Sequence, residues 1–118
     1  MENIRINIYR SEIELYIGKS KNNGSKIIER YGRKKFIEKY SSGFCFAICF
    51  LDSKGKMRFV ISLDKKAKRE EIYHESLHMS FYILESVLIK FDNDNHEALC
   101  YLQGYIAEKI IKQLKKQK

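Results

Sequence analysis

The chain has 118 residues, 44% hydrophobic and 32% charged: enough to bury one core and too few for two full domains, so residues 1–118 are read as a single domain. Its longest strongly apolar stretches, Phe44 to Leu51 and Met79 to Ile89 with Glu85 inside, fall well short of the roughly 20 residues that a membrane-crossing helix needs. The formal net charge is +8, and it is unevenly placed, because eight basic residues between Lys19 and Lys39 face only Glu29 and Glu38.

Ile4, Ile6 and Ile8 alternate with polar residues, and Ile13, Leu15 and Ile17 do the same beyond Arg10-Ser11, which predicts a strand pair or one long bent strand. This start lacks the order of a signal peptide, and the chain is read as intracellular and cytoplasmic. Gly18 to Ser25 has the composition of a loop. From Lys26 to Tyr40 the apolar groups Ile27/Ile28/Tyr31 and Phe36/Ile37/Tyr40 fall on nearly opposite sides of a helical projection, predicting two short helical pieces or a break at Gly32.

Phe44 to Leu51 reads as a strand covered on both faces, Asp52 to Lys56 as a turn, and Met57 to Leu63 as the second arm of an antiparallel hairpin. Asp64 is placed to cap the next helix, which carries His74, Leu77, His78, Phe81 and Leu84 on adjacent rows. A final helix is predicted from about Asp94 to Leu114. Cys45, Cys49 and Cys100 make an odd count with no Cys-x-x-Cys pair and are read as buried, reduced thiols. The expected architecture is α+β: a small antiparallel sheet packed by the helix that bears His74 and by the C-terminal helix.

His74-Glu75-Ser76-Leu77-His78 is an HExxH sequence, which chance alone would place in a chain of this composition about once in 150. On a helix the two histidines stand one turn apart on one side, where both imidazoles reach one tetrahedral metal. Glu75 projects about 100° away, so it flanks the ion and is placed to take a proton from a metal-bound water.

These residues resemble the zincin metallopeptidases. The resemblance implies one Zn²⁺, with His74 and His78 as ligands and Glu75 as general base. Phe81 and Leu84 stand where a metzincin has Gly and His, which excludes that branch. A gluzincin takes its third ligand from a Glu on the next helix, and Glu97 lies at the matching distance. The run Glu97-Ala98-Leu99-Cys100-Tyr101 is similar to the ligand helix of small intracellular zincins, including phage- and mobile-element-encoded ones. Asp94-x-x-Glu97 is also a capping-box spacing, and His96 is a second candidate ligand. Glu85 suits an outer-shell or ion-pair role, and Asp92-Asn93-Asp94-Asn95 lacks the Gly and terminal Glu of a calcium loop.

Ligation by Glu97 sets a geometric condition. A motif helix running on to Lys90 would leave Glu97 about 15 Å or more from His78 along the axis, so that helix must end near Ser86, with Val87 to Phe91 as the connection and the last helix starting near Asp92. Tyr82, Tyr101 and Tyr105 are available as oxyanion donors, with none singled out. The expected function is zinc-dependent hydrolysis of peptide bonds in a protein or peptide, the substrate lying antiparallel to Met57–Leu63 should that strand be the sheet edge. The alternative is a non-catalytic zincin-fold binding module using the basic 19–39 surface for a protein or nucleic-acid partner, with weak, non-specific and salt-sensitive nucleic-acid contact.

Overall fold

Alternation of side chains along the strands decides the layering of this fold. The computed structural model describes residues 1–89 and 96–117. In chain order the elements are β1 (Glu2–Ile6), a 3-10 turn (Asn7–Tyr9), β2 (Ser11–Ile17), α1 (Ser20–Tyr31), α2 (Lys34–Ser41), β3 (Phe46–Leu51), β4 (Met57–Leu63), α3 (Arg69–Ser86) and α4 (His96–Lys116). β2 sends Ile13 and Leu15 to one face and Glu14 and Tyr16 to the other, and all four are buried. β4 divides Phe59, Ile61 and Leu63 from Val60 in the same way. Such strands need a covering layer on each face.

The first face packs Ile13, Leu15, Ile61 and Leu63 against Ile72, Met79 and Ile83 of α3 and Leu102, Ile106 and Ile110 of α4. The second packs Tyr16, Phe46, Ile48, Phe50 and Val60 against Ile27 of α1 and Ile37 of α2. The architecture is α+β, as expected, and α1 and α2, the two short helical pieces read from the sequence, form a further layer on the face opposite α3 and α4.

The sheet order is β1-β2-β4-β3. β1–β2 and β3–β4 are antiparallel, with Ile4 opposite Ile13 and Ile48 opposite Val60. The central pair β2–β4 is parallel, with Leu15 opposite Ile61, which corrects the fully antiparallel sheet read from the sequence. The cause is the α1–α2 hairpin: Ser20 at its start donates a hydrogen bond to the carbonyl of Ser41 at its end (3.0 Å), so the chain returns to the end of the sheet it left. β3 therefore runs against β2, and β4 runs with it.

The predicted loop Gly18–Ser25 is mostly helix. Asn23, 2% exposed, donates from Nδ2 to the carbonyls of Tyr16 (3.3 Å) and Gly18 (3.1 Å) and to Ser62 Oγ (2.9 Å), tying the first turn of α1 to β2 and β4. The break at Gly32 is present: its φ is 74°, and its N–H closes α1 on the Ile28 carbonyl at 2.7 Å.

The Asp52–Lys56 turn also forms as read, Asp52 Oδ1 accepting the N–H groups of Lys54 and Lys56, each at 2.9 Å. Asp64 does not cap α3. Its carboxylate accepts the Lys66 N–H at 2.9 Å in a local turn, and α3 begins at Arg69, where Glu71 accepts the Lys68 N–H at 3.0 Å.

At the far end α3 stops at Ser86, as the geometric condition on Glu97 requires. Leu88 takes φ 62°, its N–H bonds the Glu85 carbonyl (3.0 Å), and the Ile89 N–H bonds that of Leu84 (2.9 Å). This is a Schellman ending with Leu in the place usually held by Gly. The expectations for Phe91, the Asp92–Asn95 run and the Asp94 capping box lie outside the described residues. Among the described residues no helix is long and apolar enough to cross a membrane. Cys45 and Cys49 are half-buried and free; Cys100, read as buried, is exposed on α4.

Candidate metal centre

α3 presents three kinds of side chain to three surroundings. Ile72, Met79 and Ile83 enter the core, and the buried Ser76 and Ser80 bond the carbonyls of Ile72 and Ser76, each at 2.7 Å, so the buried row carries no unmet hydroxyl. His74 and His78 stand on the exposed side. Between these rows lies Glu75, only 7% exposed.

His74 Nε2 and His78 Nε2 are 3.2 Å apart, with ring centroids 4.7 Å apart and ring planes at 77°. The two nitrogens are at hydrogen-bond distance, and their separation is also close to the about 3.3–3.4 Å spanned by two Zn–N bonds of about 2.0–2.1 Å at a tetrahedral angle. Ligand atoms of His74, Glu75 and His78 all lie within 4.8 Å of one another. Burial pushes the Glu75 carboxyl above the usual carboxylate range; His74 opposes that shift and the neighbouring Glu71 charge adds to it. A carboxylate held in this way beside two imidazoles is suited to accept a proton.

Glu97 is not part of this group. Its carboxylate is 69% exposed and lies 3.8 Å from His96 Nε2. The end of α3, at Ser86 and Val87, and the start of α4, at Ala98, Tyr101 and Leu102, flank the same end of the sheet around Tyr9, so the two helices are antiparallel. Gln103 Nε2 donates to the Tyr73 carbonyl at 3.1 Å. Glu85 is exposed and outside the group.

Three neighbours complete the surroundings. Tyr82 stacks on His78 at 6.4 Å with planes 19° apart, and burial raises its hydroxyl above the ordinary tyrosine range. Cys45, one residue before β3, points its thiol at Glu71 Oε2 (3.7 Å); burial foremost, with the Glu71 and Glu75 charges adding, pushes it up to about 11. Tyr82 was visible in the sequence as the residue one turn beyond His78. Cys45 and Glu71 were not, because only the folded sheet brings β3 against α3. Tyr101 and Tyr105 lie on the exposed side of α4 around Ile8 and Tyr9.

The strand expected to receive substrate, Met57–Leu63, is interior, with β2 on one side and β3 on the other. The free edge beside α3 is β3. The basic 19–39 segment is partly engaged in structure: Arg30 lies 3.7 Å from the buried Glu14, which also accepts hydrogen bonds from Tyr16 and Tyr31, Arg33 lies over the Phe50 ring, and Lys34 pairs with Glu38 at 4.0 Å.

No family model matches the chain, and no curated protein or solved structure matches it either. The likeness to zincins rests on the residues themselves.

Proposed function

We propose that the chain is a small zinc-dependent metallopeptidase in which His74 and His78 hold the ion, Glu75 is the general base and Glu97 is the third protein ligand. The observation that carries this reading is the 3.2 Å separation of the two imidazole nitrogens, with a buried carboxylate inside the same 4.8 Å group. A zinc ion supplies Lewis acidity there, drawing the pKa of a bound water toward 7 and polarising a carbonyl oxygen.

The chain's own residues do the rest. Glu75 takes a proton on a carboxylate oxygen and returns it to the leaving amine. Glu97 completes the protein ligands by turning its exposed carboxylate from His96 toward His78. Tyr82 fixes the His78 ring by stacking on it. An extended peptide pairs with the free edge of β3, whose main-chain groups hold it beside α3.

The test is hydrolysis of an unfolded, fluorescently labelled protein, with metal content measured on every variant. Glu75→Gln keeps metal and fold and loses activity by roughly 100-fold or more, the usual scale of general-base catalysis. His74→Ala loses metal and activity together, and Glu97→Ala lowers metal retention. Hydrolysis at the wild-type rate by metal-loaded Glu75→Gln contradicts the mechanism.

A further inference from the structure

β2 and β4 are adjacent and parallel, and the chain leaves their carboxyl ends in opposite directions: β2 leads to α1 on one face of the sheet and β4 to α3 on the other. Divergence of this kind opens a crevice beyond the strand ends, the usual ligand position in sheets with parallel strands. Here the crevice is a cleft of about 660 Å³ lined by Lys19, Lys26, Lys65 and Lys66, with Asp64 as its single carboxylate. That carboxylate accepts the backbone N–H of Lys66 at 2.9 Å. Among the described residues none of the four lysines makes an ion pair, in contrast to Arg30 and Lys34 on the adjoining helices. Phe44, 48% exposed, stands at the same cleft.

Four ammonium groups around one cleft, with one carboxylate among them, leave a net positive charge that a ligand bearing several negative charges neutralises. An aromatic ring among them offers a stacking surface for a base, and bases are free to stack on a protein only where they are not paired in a duplex. We propose that this cleft binds single-stranded nucleic acid, its phosphates on Lys19, Lys26, Lys65 and Lys66 and a base on Phe44. The site is independent of the metal centre. It also differs from the basic 19–39 stretch seen in the sequence, since half of its lysines come from the β4–α3 turn and the α2 cations take no part.

The experiment is fluorescence anisotropy of a labelled 20-nucleotide oligo-dT, titrated with full-length protein between 50 and 200 mM salt. Each phosphate neutralised on a single strand contributes about 0.7 to the slope of log affinity against log salt, so four lysines give a slope near −3. The double variant Lys19→Ala/Lys66→Ala reduces that slope by about 1.4, whereas Lys34→Ala/Lys35→Ala on α2 leaves it unchanged. Phe44→Ala weakens binding about tenfold at constant slope. Absence of binding at 50 mM salt overturns the proposal. So does equal loss in the α2 control, which would reveal diffuse charge, or tighter binding of a duplex of the same length. Displacement of the strand by a nucleoside monophosphate at an equal concentration of phosphate would assign the cleft to free nucleotides and overturn it as well.

Discussion

Glu75 on α3 and Cys45, just before β3, respond to the same surroundings in ways that suit different ends. Each is removed from water, and loss of hydration disfavours the charged form of either group. For Glu75 the shift makes a carboxylate a better proton acceptor; for Cys45 it makes a thiol inert. With its pKa pushed up to about 11, Cys45 is ionised to about one part in a thousand at pH 8. Cys100 is exposed to reagent on α4. A disulfide-exchange probe at pH 8 is expected to titrate one thiol rapidly, and Cys100→Ser is expected to abolish that fast phase. Raising the pH accelerates the Cys45 reaction about tenfold per unit until it approaches 11, because the thiolate is the reacting form. A fast phase that persists in Cys100→Ser contradicts the assigned burial.

Helix α1 shows where local composition and tertiary packing part company. Lys-Asn-Asn-Gly-Ser carries low helix propensity and reads as a turn, yet Asn23 bridges β2 and β4 with its side-chain amide and Gly24 touches α2. These contacts hold the first turns in place, and neither is visible in a sequence whose partners lie 7 to 39 residues away. A Cβ on Gly24 would fall 2.7 Å from Ser41 Cβ, which is fixed to the backbone of α2. Ala is the better helix former by about 1 kcal/mol, and overpacking costs about 1–3 kcal/mol. Gly24→Ala is therefore expected to destabilise the fold by about 1 kcal/mol in urea denaturation while leaving metal retention intact. A gain in stability would show that α2 yields without cost. The strands were more legible than this helix, since β2 and β4 alternate and β3 is a short apolar run closed by a turn; the parallel β2–β4 pairing was not, because alternation fixes which face a side chain takes and leaves the partner strand open.

Taken as a whole, the molecule places its metal-type residues on a helix that packs beside a free sheet edge, with a separate lysine-lined cleft at the carboxyl ends of the parallel strands. His74, Glu75 and His78 were legible from five consecutive residues, because helical periodicity alone sets i and i+4 side by side. The end of α3 at Ser86 could be required from the reach of Glu97, although the αL residue that makes it, Leu88, carries none of the usual sequence marks. Which arm of the hairpin is the sheet edge was not legible, since which arm pairs with β2 depends on how α1 and α2 return the chain. Metal content is the measurement that tests the central claim most directly: protein purified without chelator, given excess zinc and desalted, is analysed by native mass spectrometry beside His78→Ala. The account predicts one zinc per wild-type chain and a loss of affinity by orders of magnitude in the variant, because removing one imidazole dismantles the pair of donors 3.2 Å apart. Zinc stoichiometry near zero in folded wild-type protein, or equal retention by His78→Ala, would contradict it.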